Sequence, residues 1–295
     1  MLLAAKESDE NLLWSDSRHC YLVMFILALR VRLVSLIFLD EASKMNTTAQ
    51  KVYLAAGGVL EIPRHSLFYT STEQEPCHLT ITMKDRVEQA AVNANERGML
   101  VLSPCTVRVQ SGSLNYCEID FPFLVKLQVF VDKSQHKKKN FNPDCLWGYL
   151  PAALGPEAST RSIEYWFLNQ TILHADDITA FSDVLKNNEW YDLVDFLLDE
   201  SCDNSNQRLQ VLCSRYGLSV SHFRRLTRYA LGKTAKVELR DWRLVRALFE
   251  LIDGDNNLTT IAMNHGYASL SHFSNEVKDA FGVSPRNLKK ILHVS

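Results

Sequence analysis

Arginine side chains are concentrated in one short amphipathic segment near the carboxyl end of the chain. Residues 219–233 hold Arg224, Arg225, Arg228 and Lys233 and contain no acidic residue, so the segment has a net charge of +4. A guanidinium can bind a phosphate through two parallel hydrogen bonds, and it can read the edge of a guanine in the same way. The segment therefore predicts contact with a nucleic acid.

A second copy of the surrounding pattern lies about 50 residues further along the chain. The segment SVSHF at 219–223 recurs as SLSHF at 269–273, and glycines stand at matching places before and after both. Glycine can take the left-handed conformation that ends a helix, and serine is a favourable N-cap for the next helix. The pattern predicts a helix-turn-helix used twice. The matching glycines are Gly217 with Gly266 and Gly232 with Gly282; Cys213 and Ala262 are small residues expected where helices cross.

A long helix is predicted between the two repeats, over residues 234–252, where apolar residues recur on one face. A stiff connection of this kind would place the second helices of the repeats in successive major grooves on one side of a duplex. The buried faces of those second helices are expected to consist of Phe223, Leu226 and Ala230, and of Phe273, Val277 and Ala280.

The two second helices differ in charge. Residues 269–282 carry only Lys278 against Glu276 and Asp279, a net charge of −1, so counterion release favours the first repeat. The residues predicted to contact base edges are Ser221, Arg224, Arg225, Leu270, Ser271, His272 and Asn275. The residues predicted to contact the DNA backbone are Arg215, Ser219, Arg228, Lys236, Arg240 and Ser269.

Charge is divided unevenly along the chain, although the formal net charge of the 295 residues is only −2. Residues 144–204 have a net charge of −10, whereas residues 205–295 have +7. A basic terminal module behind an acidic stretch is typical of a nucleic-acid-binding domain whose field is masked in the whole chain.

Cysteine and histidine patterns do not predict catalysis or a metal site. None of the seven cysteines has a CxxC partner, and His65, His78 and His136 are scattered. No nucleotide-binding glycine loop, nucleophile elbow or HExxH motif is present. We therefore predict no catalytic residue, no metal and no cofactor.

The composition predicts four regions in an α+β chain. Residues 1–44 form an apolar extension; 45–143 are β-rich, because short alternating segments follow one another over 52–131; 144–204 are acidic and helical; and 205–295 are an all-α domain with the two helix-turn-helix repeats. Residues 132–143 are polar and lysine-rich, and Lys137–Lys139 are expected to lie in a solvated loop.

The apolar run at residues 20–39 is long enough to span a membrane, but Arg30 and Arg32 lie near its middle. We expect a buried strand or helix, or a natural start at Met45, rather than a membrane anchor, and a cytoplasmic location.

The C-terminal region resembles the AraC/XylS family of bacterial transcription regulators. The resemblance covers about 205–292 and includes Ile261-Ala262, Gly266-Tyr267, Ser271-His-Phe273 and Gly282-Val-Ser-Pro285, with Arg243 and Ala247 in the connecting helix. It implies the same base-contacting residues and a cupin-like β-rich domain ahead of the DNA-binding domain. Three positions depart from the family pattern: Ala235 replaces Pro, Thr227 an aromatic residue, and Asn275 a common Arg.

A closer resemblance, over about 160–292, is to family members that activate type III secretion effector genes in invasive bacteria. It rests on Glu164–Leu168, Tyr216–Arg225, Lys236–Arg243 and Asn264–Tyr267. It implies promoter DNA, RNA polymerase and a tetratricopeptide-repeat secretion chaperone as partners. The alternative is a regulator whose cupin-like domain senses a small molecule. The helices expected over 157–200 could pair two subunits as a homodimer or cover the β-rich domain.

Overall fold

The computed structural model describes five ranges of the chain: 52–135, 139–155, 158–174, 176–202 and 208–293. These residues fold into two compact units. The sheet unit comprises 52–131 and 139–191, and the helical unit comprises 132–135 and 192–293. The extension 1–44, its apolar run and Met45 lie outside the described ranges. No helix within those ranges is long and apolar enough to cross a membrane.

The sheet unit is built on two antiparallel sheets. The strands are β1 (Val52–Ala55), β2 (Val59–Ile62), β3 (Ser66–Ser71), β4 (Cys77–Thr82), β5 (Val87–Val92), β6 (Arg97–Leu102), β7 (Cys105–Ser111), β8 (Ser113–Ile119) and β9 (Trp147–Pro151). The first sheet has the order β1-β8-β3-β6-β9 and the second β2-β7-β4-β5. Both confirm the predicted β-rich region, and with the helical unit they confirm the α+β class.

Side chains from both sheets meet in one apolar core. Phe68, Leu100 and Leu114 come from the first sheet, and Leu79 and Val107 from the second. The sheets are also joined at their edge strands, since Trp147 Nε1 on β9 donates a hydrogen bond to Glu88 Oε2 on β5 at 2.6 Å. The core therefore holds the two sheets together face to face.

Four helices accompany or follow the sheets: α1 (Phe121–Ser134), α2 (Thr160–Leu173), α3 (Thr179–Lys186) and α4 (Glu189–Cys202). The last three confirm the helical pattern expected after residue 157. The alternating pattern over 52–131 predicts strands up to residue 131, and this prediction is wrong for α1. The apolar run of α1 has no clear helical or strand period, and Pro122 fits the first turn of a helix.

Strand β9 lies in the stretch 144–204, for which the sequence predicts helices, and α3 packs on it. Gly148 permits this packing, because a Cβ there would lie 2.7 Å from the backbone of Phe181. The boundary between the two units also does not follow the change of charge at residue 204: α2 and α3 belong to the sheet unit, whereas residues 192–202 of α4 belong to the helical unit.

The helical unit contains six further helices: α5 (Leu209–Tyr216), α6 (Val220–Leu231), α7 (Ala235–Asp253), α8 (Leu258–Asn264), α9 (Leu270–Phe281) and α10 (Pro285–His293). Helices α5 and α6 form the first repeat, and α8 and α9 the second. Helix α7 is the predicted connection. Nineteen residues in one helix span about 28 Å.

The end of α4 packs on the first repeat. The ring of Phe196 lies 5.0 Å from that of Tyr216, and Glu200 Oε2 lies 2.7 Å from Arg215 Nη1. Arg246 of α7 is buried and donates hydrogen bonds to the hydroxyl and the carbonyl oxygen of Ser201. Residues 192–202 are therefore part of the same packed unit as the repeats.

Candidate nucleic-acid interface

In each repeat a glycine in the left-handed region follows the first helix, directly after α5 and two residues after the end of α8. The φ angles are 83° at Gly217 and 69° at Gly266. The Gly217 amide donates to the Cys213 carbonyl at 3.0 Å. No atom lies within 4 Å of the position that a Cβ would take at Gly217, so backbone conformation rather than space selects glycine there.

The predicted caps are present in both second helices. Ser219 Oγ accepts a hydrogen bond from the His222 amide at 3.3 Å, and Ser269 Oγ accepts one from the His272 amide at 3.1 Å. A serine hydroxyl that accepts such a bond still has a proton to donate. Both caps can therefore also serve as the DNA-backbone contacts that the sequence predicts.

The buried faces of α6 and α9 follow the prediction except at one position. Phe223, Leu226 and Ala230 are buried, as are Phe273 and Val277, but Ala280 is exposed, so its predicted burial is wrong. The apolar stripe of α9 instead continues from Val277 to Phe281, which packs against the core of the second repeat.

The predicted base-contacting residues of the first repeat share one exposed face of α6. Ser221, Arg224 and Arg225 are all exposed, and Arg228 is exposed one turn further on. Lys233 contributes less charge than the sequence count implies, because its Nζ lies 3.0 Å from Asp241 and 3.7 Å from Glu238. The three arginines therefore supply most of the positive field of this helix.

Thr227, one of the departures from the family pattern, is buried in α6. Its hydroxyl donates to the Arg224 carbonyl at 3.1 Å, so the polar atom is satisfied within the helix. The replacement of an aromatic residue at this position therefore leaves no unpaired hydroxyl behind the reading face.

The corresponding face of α9 is less uniform. Ser271 and Asn275 are exposed, whereas Leu270 is half-buried and packs against the core of its repeat. The His272 ring meets Tyr267 edge-on at 5.4 Å, and its Nε2 lies 3.9 Å from a carboxylate oxygen of Glu276. These contacts fix the direction of the imidazole at the exposed surface.

A cluster around Arg243 joins the connecting helix α7 to the second repeat. Arg243 Nη2 donates to Glu276 Oε2 at 3.1 Å, and the guanidinium lies 4.4 Å from the centre of the Tyr267 ring. Burial raises the pKa of the Glu276 carboxyl, and the charge of Arg243 opposes that rise. This role of Glu276 could not be predicted from the sequence, since no local signal links two residues that far apart in the chain.

A second cluster, around Glu250, fixes the end of α7. Its Oε1 accepts hydrogen bonds from the side-chain amides of Asn256 and Asn264, at 2.7 and 2.8 Å. Its Oε2 lies 2.7 Å from Nε2 of His265. Burial lowers the pKa of the His265 imidazole, although Glu250 acts in the opposite direction. The two clusters together orient the second repeat on α7.

The predicted backbone-contacting cations fall into two groups. Arg228 and Lys236 are exposed, and the described residues include no ion pair for either. Arg215 instead faces the buried Glu200 at 2.7 Å. Arg240 lies 3.3 Å from Asp241 and 4.0 Å from Glu276. The last two cations would approach a phosphate with part of their charge already balanced.

Comparison with known proteins agrees with this geometry. A family described as a helix-turn-helix domain matches residues 212–291. The chain is 36% identical over 201 residues to the invasion protein InvF of Salmonella typhimurium, covering 68% of this chain and 92% of InvF. It is 35% identical over 148 residues to the transcriptional regulator MxiE of Shigella flexneri, covering 50% of this chain and 70% of MxiE.

Among solved structures, ToxT from Vibrio cholerae matches 83% of this chain and 97% of its own, with 12% identity and a TM-score of 0.33. A likeness that distant carries no weight here. The sequence matches cover 92% of InvF and 70% of MxiE. The matched helix-turn-helix domain coincides with the two repeats that α7 connects. The chain therefore belongs to the AraC/XylS family of DNA-binding transcriptional regulators.

Proposed function

We propose that this regulator is a sequence-specific activator of type III secretion and invasion genes in a bacterial cytoplasm. The similarity to InvF, an invasion protein, over 92% of the length of InvF supports the class of target gene. The similarity to MxiE, a transcriptional regulator, supports the mode of action. RNA polymerase is the partner that an activator must reach.

The observation that carries the DNA-reading part of this proposal is the exposed face of α6. Ser221, Arg224 and Arg225 lie there on a helix that is capped at its start and anchored by buried Phe223. Ser271, His272 and Asn275 occupy the equivalent part of α9. Because α9 has the weaker charge, the two halves of the promoter site are expected to be unlike, with the first repeat supplying most of the affinity.

A secretion chaperone of the tetratricopeptide-repeat type is the proposed coactivator. The interior of the sheet unit supports a protein partner over a sugar-like effector, because the residues buried in its core, Phe68, Cys77 and Cys105 among them, are apolar. Helix α2 offers an apolar surface on which Tyr165, Ile172 and Leu173 are exposed. The same surface could pair two copies of the chain, so the mass of the complex must be measured along with its activity.

The test begins with co-purification of the full-length protein and candidate secretion chaperones, with the mass of each complex measured by light scattering. Promoter binding and transcription are then measured with and without the chaperone. We expect chaperone-dependent transcription with little change in DNA affinity. Arg225→Ala is the matched control, because it should lose DNA binding and keep the chaperone. Transcription that ignores the chaperone and responds to a small metabolite would contradict the coactivator proposal.

A further inference from the structure

Helix α10 carries the positive charge that the second recognition helix lacks. Lys278 of α9 is outweighed by Glu276 and Asp279, whereas α10 contains Arg286, Lys289 and Lys290 and no acidic residue. A regulator that holds DNA with both repeats needs cations near its second half-site.

The internal repeat extends beyond the helix-turn-helix and includes the start of the following helix. Gly232 ends α6 with a φ of 70°, and Gly282 ends α9 with a φ of 72°. Two residues later, a hydroxyl caps the next helix in each case. Thr234 accepts from the amide of Val237, and Ser284 accepts from the amide three residues on, both at 3.4 Å.

The residues that follow these caps also correspond in burial. Ala235 and Pro285 are both buried at the first position of α7 and α10. Glu238 and Leu288 are both buried at the fourth position. The first turns of α7 and α10 therefore stand in the same relation to the recognition helix before them.

This correspondence pairs each predicted phosphate contact of α7 with a cation of α10. Lys236 corresponds to Arg286, and Arg240 corresponds to Lys290; all four are exposed. Within the described residues, neither Arg286 nor Lys290 has an ion pair. The acidic neighbour of Arg240, Asp241, is replaced in α10 by isoleucine.

Lys289 differs from its two neighbours in α10. Its Nζ donates to the carbonyl of Gly254 at 3.0 Å, which ties α10 to the end of α7. We infer that Arg286 and Lys290 are the cations with which the second repeat contacts phosphates and that Lys289 positions the helix that carries them. The inference deepens the proposed DNA-reading mode and rests on it.

The experiment measures the salt dependence of DNA affinity for the full-length protein. The probe is a mixed-sequence duplex of about three helical turns, which gives both repeats room to bind. Each phosphate contact contributes ~0.9 to the slope of log affinity against log salt. Arg286→Ala and Lys290→Ala should each reduce the steepness by ~0.9, and the double variant by ~1.8. Arg286→Lys should keep the slope of the unsubstituted protein.

Lys84→Ala is the matched control, because Lys84 is an exposed lysine between β4 and β5 of the sheet unit. It should leave the slope unchanged. Thermal unfolding should be the same in all variants, since the altered side chains are exposed. An unchanged slope in the double variant would overturn the inference while DNA binding itself stands. Failure of the unsubstituted protein to bind any duplex would overturn the inference together with the proposed function.

Discussion

The guanidinium of Arg243 lies over the ring of Tyr267, 4.4 Å from its centre, and at the same time donates to Glu276. Arg243 belongs to α7, Tyr267 to the turn of the second repeat, and Glu276 to its recognition helix. One side chain therefore connects all three parts whose relative placement determines where α9 points.

Replacement of Arg243 by alanine should destabilise the helical unit. The variant leaves Glu276 with 12% of its side chain exposed and without its strongest partner. We expect a loss of about 2 kcal/mol in the free energy of unfolding, less than for a fully buried pair. Arg243→Lys keeps the charge but not the stacking, so it should lose about half as much. Denaturant titration measures both; an Arg243→Lys variant as stable as the unsubstituted protein would rule out a role for the stacking.

Acidification should destabilise the helical unit through His265. Because burial lowers the pKa of His265 below its ordinary value of 6.5, the unfolded chain takes up the proton more readily than the folded one. The contribution of the neutral His265 to the stability of the helical unit is then fully present above pH 6.5. It is lost as the pH falls from there through the pKa that His265 has in the folded protein. His265→Gln should flatten this dependence in denaturant titrations at several pH values.

The matched control for that experiment is His78→Gln on β4, which removes an exposed imidazole from the sheet unit. Burial also lowers the pKa of His65 in the sheet unit, but this contribution is common to the compared proteins. A pH profile of His265→Gln identical to that of the unsubstituted protein would contradict the prediction.

Arg224 and Arg228 should differ in what their loss does to DNA recognition. Arg224→Ala should cost ~1–3 kcal/mol of binding to the promoter site and relax the base preference at one position. Arg228→Ala should weaken binding to all sequences alike and reduce the salt slope by about 1. Binding to a library of single-base variants of the site distinguishes the two. A uniform loss in Arg224→Ala would reassign that residue to a phosphate.

Substitution of either of two glycines should lower the stability of the protein, for a different reason at each position. Gly217→Ala forces a left-handed alanine in open space, which costs about 1–2 kcal/mol of stability. Gly148→Ala places a methyl group 2.7 Å from the backbone of Phe181 and should cost about 3 kcal/mol. Asparagine should be tolerated better than alanine at residue 217 and worse at residue 148. Thermal unfolding of the four variants checks this reversal.

The repeats could be predicted from sequence because their signals are local. A glycine, a serine cap and a phenylalanine four residues after that cap define each turn, and these residues do in the structure what their types imply. Helix α1 and strand β9 could not be predicted in this way. The residues of α1 are apolar on most sides, and β9 is short and is made a strand by pairing with β6.

The exposed faces of the recognition helices followed from helical spacing, but the state of each charge did not. The sequence predicts Arg215 and Arg240 as contacts to the DNA backbone, yet each lies beside a carboxylate from elsewhere in the fold. Lys233 is one of the four cations of residues 219–233, yet it faces acidic residues of α7. Such neutralisation depends on tertiary contacts, which periodicity does not reveal.

The packing of α4 sets a lower limit on the piece of chain that can be studied alone. A fragment beginning at residue 205 would lose the ring that packs on Tyr216, the carboxylate beside Arg215 and the acceptors at Ser201. A buried guanidinium, that of Arg246, would be left short of partners. The smallest fragment expected to keep the DNA-binding half intact therefore begins before Asp192.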